Sequence, residues 1–461
     1  VGEAVKEPMC LDEPLAVEIA PTQVARVRRR ALLRSGLLGA SLLGARRPGA
    51  AQPAPGTAPP RWTPPAAPVT LAYWDGVENV KNELLAGKLI PEYQALRPGV
   101  TVKYETVSGL WQKLLVGLAA GTAPALFTLP DFLLAATLEA GALDPVPPAA
   151  WGEASVDRLA ARYLPGLLEP MMAGHQLYAV PDQMNAHSLY INNRLFREAG
   201  LDPVKHAPRT WEDVARLNGV LTRRQGERIV QKGWEMRYAG EHWLARMFTI
   251  LVYQAGGEMI RDGRPAFHGE AGVQALSAWR RVTVAPRVSR NTIASPYQDF
   301  AAEQDAMTFG GPNAGASIER INPTLKGGYT VAPLPAIRAD RPATVVYWYG
   351  WAVNARVPDD QKRAAWDFVR YASTRPAEWM ATARYLQPVR GWYETPAARR
   401  IPFLDVFVHD LSVGRPMPRT RHYVELQATL ARMIERVILG DAPPRAALDQ
   451  AAEEFTRATR S

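Results

Sequence analysis

Four aromatic residues crowd five positions, Tyr347-Trp348-Tyr349-Gly350-Trp351, and form the densest chemical signal in the chain. Sugars present C–H faces that pack on aromatic rings, while their hydroxyls need carboxylate, amide or guanidinium partners. Further tryptophans stand near the ends of predicted strands and helices, at Trp74, Trp111 and Trp243. Polar groups able to serve hydroxyls lie in comparable places: Asp75, Asp131, Glu241, Asn313 and Arg390. Gly311 follows an apolar run and another glycine, where backbone amides can approach a ligand closely. A single tryptophan is more often core than site. The 347–351 cluster is read the other way, because successive residues of a strand face opposite sides. Asp75 could equally cap the helix that follows it. Arg390 could form a surface ion pair, or grip hydroxyls or an anion bidentately.

Catalytic signatures are missing from the sequence. It contains no Gly-x-Ser-x-Gly elbow, no His-Glu-x-x-His, no P-loop and no dinucleotide-fold glycine pattern. The seven histidines are scattered singly, unlike a metal ladder, and the lone Cys10 excludes an intramolecular disulfide. A non-enzymatic protein without metal or cofactor is therefore expected. A glycosidase remains the competing class, because two distant carboxylates suffice for that chemistry.

The elements that must position these residues alternate. Val69–Asp75 reads as a buried strand, followed by a helix from about 78 to 96 and a strand over 98–105. A helix over Trp111–Ala120, closed by Gly121, precedes a strand at 125–129. Such alternation implies a parallel sheet with sites beyond the strand carboxyl ends, which places Trp74-Asp75 and Pro130-Asp131 at one mouth. Further on, Gln176–Pro181 and Ser188–Asn192 are strand-like. Asn193 suits an N-cap, Gly200 a helix-closing residue, and Thr210-x-x-Asp213 a capping box.

That last stretch also carries a resemblance. Tyr178-Ala-Val-Pro181, Leu189-Tyr-Ile-Asn-Asn-Arg-Leu-Phe-Arg-Glu-Ala-Gly-Leu-Asp-Pro203 and Pro208-Arg-Thr-Trp-Glu-Asp213 resemble the extracellular solute-binding proteins of ABC importers, the family of maltose- and other sugar-binding proteins. Trp111-Gln-Lys-Leu114 through Pro124, Asp305–Pro312, Tyr347–Asn354 and Gln387-Pro-Val-Arg390 continue the match in order, from about Val69 to Phe455. Ala125 stands where the family usually has an acid. The resemblance implies an α/β, two-lobed periplasmic binding protein fold with an interlobe hinge and three chain crossings. Lobe one is expected at 66–179 and 307–346, lobe two at 182–303 and 350–455. It implies a monomer that captures a sugar or oligosaccharide by hinge closure and hands it to the transmembrane subunits of an ABC permease. A glycerol-phosphate-type ester is the rival ligand, and a signalling receptor the rival partner.

Residues 1–51 resemble an export signal. Arg26, Arg28, Arg29 and Arg30 precede the apolar run Ser35–Ala45, and Arg29-Arg30 fits a twin-arginine signal. An 11-residue run is too short to span a bilayer, which needs about 20 residues. Residues 52–65 form a Pro/Ala-rich linker. A periplasmic or extracellular location follows. The whole chain carries +9, and with eight Lys/Arg against five Asp/Glu in residues 1–51 the remainder carries +6. Those charges are dispersed and do not alternate with aromatics, which argues against nucleic acid as a partner.

Overall fold

A computed structural model describes residues 62–63, 68–236, 238, 240–283, 295–438 and 440–460. The expected export region, and the linker apart from Trp62 and Thr63, lie outside the described residues; Trp62 packs against the first of two apolar cores.

The first core is built on a sheet that begins as expected. In β1 (Val69–Asp75), Val69, Leu71 and Tyr73 are buried and Thr70 is exposed, the period of a strand with one face in the core. Helix α1 (Asn79–Leu84) continues through a π-turn and a further helical segment to Leu96. Then come β2 (Val100–Thr106), α2 (Leu110–Ala120) and β3 (Leu126–Pro130). Gly121 closes α2 at φ +73°, a conformation that suits glycine. Strands β2 and β3 flank β1, both parallel to it.

The chain then runs through β4 (Val180–Ala186) and β5 (Ser188–Asn192), every residue of both buried. Pro181 lies inside β4 and does not end it. Asn192, one residue before the expected cap, accepts from the Leu195 N–H at 3.1 Å. Gly200 takes φ +74°, and Thr210 and Asp213 form the capping box that starts α3 (Trp211–Leu221). Helices α4 (Glu241–Gln254) and α5 (Glu270–Thr283) follow. A three-stranded antiparallel sheet places β5 between β6 (Met307–Gly310) and β7 (Tyr329–Ala332), with α6 (Pro312–Ile321) joining the last two.

The ten-residue β8 (Thr344–Val353) links everything. It pairs antiparallel with β3 on one side and β4 on the other. At its start it runs parallel to β9 (Gly414–Pro416). Val345 and Tyr347 belong to the second core; Trp348 and Trp351–Val353 belong to the first. Helix α7 (Asp359–Ser373) covers the first sheet, with Phe368 6.0 Å from the Tyr73 ring. Helices α8 (Tyr423–Ile438) and α9 (Pro444–Ala458) close the second core.

Packing divides the chain differently from the expected lobe boundaries. Residues 351–411, expected in lobe two, send Trp366, Phe368, Trp379, Leu386 and Leu411 into the first core. The apolar face of α7 finds its partner on β1, and the chain returns to the second core only between Leu411 and Met417. Residues 307–346 are shared: Met307, Phe309 and Leu334 lie in the second core, Ala314 and Ile318 in the first.

Candidate ligand cleft

Where the two cores meet, partly exposed aromatic rings and incompletely paired polar groups converge. Their placement starts with period two on β4: Asp182, Met184 and Ala186 alternate with Gln183, Asn185 and, just beyond the strand, His187. Gln183 faces Tyr349 and Asn185 faces Tyr347 across the β4–β8 ladder. The Asn185 amide donates to Gln183 Oε1 at 2.7 Å, and Gln183 donates to Glu78 Oε2 at 3.4 Å. The Tyr385 hydroxyl also donates to Glu78. Burial pushes the Glu78 carboxyl up to about 7, with Lys81 pulling the other way.

The aromatic wall spans both cores. Trp111 from α2 stacks on Tyr349 at 5.7 Å and meets Phe132 edge-on at 6.1 Å. Phe132 in turn stacks on Tyr423 of α8 at 5.4 Å. Trp243 of α4 lies 5.9 Å from Tyr297, and His187 stacks on Tyr347 at 4.9 Å. Arg246, one helical turn after Trp243, lies 4.3 Å over the Tyr347 ring and 5.9 Å from Trp243. Its guanidinium reaches the Tyr349 hydroxyl at 3.4 Å. Burial pushes Asp131 up to about 6, with Arg246 opposing. Burial and the nearby Arg246 charge hold His187 far below its usual range.

Several buried polar atoms here have no hydrogen-bond partner among the described residues: Asp131 Oδ2, Asn185 Oδ1, Asn313 Oδ1 and both ring nitrogens of His187. Gly311 sits between the two asparagines; a Cβ there would lie 3.0 Å from Asn185 Cβ and from Asn313 Oδ1. Chemically, the arrangement offers aromatic faces, three unspent acceptor oxygens and one guanidinium to a small solute. Orphaned buried polar atoms are rare and costly.

Of the residues singled out from sequence, Trp111, Asp131, Trp243, Gly311, Asn313 and Tyr349 come together here. The others do not. Trp348 and Trp351 are core: Trp351 Nε1 donates to the Tyr73 hydroxyl at 3.0 Å, and its ring meets Trp379 edge-on. Gly350 is needed for strand packing, since a Cβ would fall 2.7 Å from the Val180 carbonyl oxygen. Trp74 points to the opposite face of β1 from Tyr73 and donates to Glu105 at 3.0 Å. Asp75 is buried with Lys81, whose Nζ lies 2.8 Å from Asp75 and 2.5 Å from Asp182. Glu241 is exposed in the first turn of α4, and Arg390 is exposed. Sequence reasoning missed Glu78, Gln183, Asn185, His187, Arg246, Tyr297 and Tyr385. One signal could have exposed Arg246: it is the only charge after Glu241 in the otherwise apolar α4, three residues after Trp243.

Among the described residues no group of three or more His, Cys, Asp or Glu is placed to hold a metal. No described helix is long and apolar enough to cross a membrane.

Comparison with known proteins agrees with this architecture. Residues 82–379 match the family model described as bacterial extracellular solute-binding protein. The sn-glycerol-3-phosphate-binding periplasmic protein UgpB of Shigella dysenteriae is 22% identical over 421 residues, covering 86% of this chain and 93% of that protein. An ABC transporter solute-binding protein of Thermotoga lettingae, bound with alpha-D-tagatose, superposes with a TM-score of 0.72 at 23% identity, over 84% of this chain and 99% of that one. Maltose-bound MalE3 of T. maritima gives 0.71 at 19% identity, over 84% and 99%. These structural likenesses carry the fold: two lobes of the periplasmic binding protein type.

Proposed function

The chain belongs to the bacterial extracellular solute-binding protein family, and on that premise we propose that it captures a small sugar between its lobes by hinge closure and delivers it to an ABC permease. The observation that carries this reading is the set of unspent acceptors, Asp131 Oδ2, Asn185 Oδ1 and Asn313 Oδ1, beside the rings of Trp111, Tyr349 and Trp243. Acceptor oxygens call for hydroxyl donors, and partly exposed rings call for C–H faces. A sugar brings both. Ligand held by groups from both lobes stabilises the closed state by its differential affinity and shifts a pre-existing equilibrium.

The test is a thermal-shift screen over mono- and disaccharides, followed by calorimetric titration of the hits. A ligand at a hundred times its Kd raises apparent stability by about 2.7 kcal/mol, and wild type should contract in solution scattering when it binds. Sugars that leave both the melting temperature and the radius of gyration unchanged would defeat the reading. Export through the twin-arginine route belongs to the same proposal. Replacing Arg29 and Arg30 together by Lys should abolish periplasmic accumulation; normal accumulation would point to the general secretory route.

A further inference from the structure

Arg246 is 4% exposed, and among the described residues it has no direct ion-pair partner; Asp131 favours its charge only from beyond contact distance. No carboxylate lies within 4.0 Å of it among the described ion pairs, whereas buried Lys81 has two and Lys232 has Asp299 and Asp305. A guanidinium has five N–H donors. Among the described residues its one hydrogen-bond acceptor is the Tyr349 hydroxyl at 3.4 Å, and the faces of Tyr347 and Trp243 pack against it. Removing a cation from water without a hydrogen-bonded anion is expensive. Aromatic faces recover part of that cost, but they leave the fork of the guanidinium free.

Position makes this more than a packed arginine. Arg246 shares its surroundings with Asp131 from the first core, and with Tyr297 and Tyr423 from the elements around it. The orphaned acceptors Asp131 Oδ2 and Asn185 Oδ1 stand in the same cluster. Resting on the sugar reading above, we infer that the ligand is an acidic polyol, a sugar or polyol bearing one carboxylate or phosphate, and that Arg246 receives the anionic group while the acceptors receive its hydroxyls. Guanidinium and carboxylate or phosphate match bidentately, which fixes orientation as well as charge. A neutral sugar would leave the guanidinium unmatched in the closed cleft.

Calorimetric titration of the folded protein with two matched pairs tests this: D-glucuronate against D-glucose, and glycerol 3-phosphate against glycerol. At least one acid should bind about tenfold or more tighter than its neutral counterpart, and which acid does so decides between carboxylate and phosphate. Arg246→Gln should erase that margin, weakening the acid about tenfold more than its neutral counterpart. If Arg246→Gln fails to fold, Arg246→Lys keeps the charge but loses the fork, and should still weaken the acid about tenfold. Neutral compounds that bind as tightly as the acids would overturn the inference and leave the sugar reading standing. So would an Arg246→Gln loss shared equally by both members of a pair. No binding by any of the four, with a neutral mono- or disaccharide binding in the wider screen, would likewise overturn the inference and leave the sugar reading standing.

Discussion

Lys81 and Arg246 are both buried cations, and the chain treats them in opposite ways. Lys81, on α1, is 1% exposed and sits between Asp75 and Asp182, with Thr128 Oγ1 at 3.2 Å. Burial alone would strip its proton, but the two carboxylates more than offset this and keep it charged. Asp75 ends β1 and Asp182 lies on β4, so the ion triad ties together two non-adjacent strands of the first sheet, the second of which leads toward the second core. Arg246 has rings around it and no such pair. A charge answered within the chain belongs to the architecture. A charge without such an answer is the one assigned above to an incoming ligand.

The largest effect of a single substitution should come from breaking the answered charge. Lys81→Met leaves two buried carboxylates uncompensated and should cost about 3–5 kcal/mol in urea unfolding, whereas Arg246→Gln should change the stability of the empty protein by less than about 1 kcal/mol. Equal losses would erase the contrast. Trp348→Ala comes next. As a core side chain it should cost about 3 kcal/mol, while the affinity of the protein that still folds stays within about threefold; a thirtyfold loss of affinity without loss of stability would move Trp348 into the site.

Trp111→Ala should show the reverse pattern. Binding should weaken by about 2 kcal/mol, roughly thirtyfold, with little change in the melting temperature of the empty protein. Protonation sharpens the comparison further. Glu78 and Asp131 hold their protons more tightly when folded, at about 7 and about 6, well above the ordinary carboxylate range, because both are buried. Their contribution to stability is therefore greatest below the unfolded values and is lost as pH rises through the folded ones. Wild type should lose on the order of 6 kcal/mol relative to Glu78→Gln/Asp131→Asn between pH 4 and about 7.5; parallel unfolding curves for the two proteins would contradict this. The smallest effect belongs to the surface. Arg421 of the segment before α8 pairs with Glu139 at the surface, so Arg421→Ala should shift ligand affinity by less than about fivefold, and by less still in high salt. A larger or salt-independent shift would make that pair part of the closure itself.

Much of the fold was legible because local chemistry decided it. Thr210 and Asp213 could form only one economical helix start, Gly121 and Gly200 supplied the left-handed closures, and β1 declared itself by period two. The same period applied along β8: Tyr349 and Trp348 had to face opposite sides, and they do. What the sequence hid were meetings between distant positions. Nothing local says that Lys81 will answer Asp75, turning a candidate site residue into a structural one, or that Gln183 will reach Glu78 and Tyr385 will reach the same carboxylate. The division of the two apolar cores was hidden for a related reason. The apolar face of α7 states only that it needs a partner, and β1 proved to be that partner.

One strand, β8, supplies side chains to both cores within ten residues, with a register shift between Tyr349 and Gly350. Inheritance feels this constraint. A lobe acquired from a relative by recombination would arrive with half of β8 shaped for a core it had left behind, mismatching Val345 and Tyr347 on one side or Trp348 and Trp351 on the other. Functional chimaeras should therefore carry residues 344–353 from a single parent, and new ligand preferences in this lineage should arise by point changes around Trp111, Arg246 and Tyr349 more readily than by exchange of whole lobes.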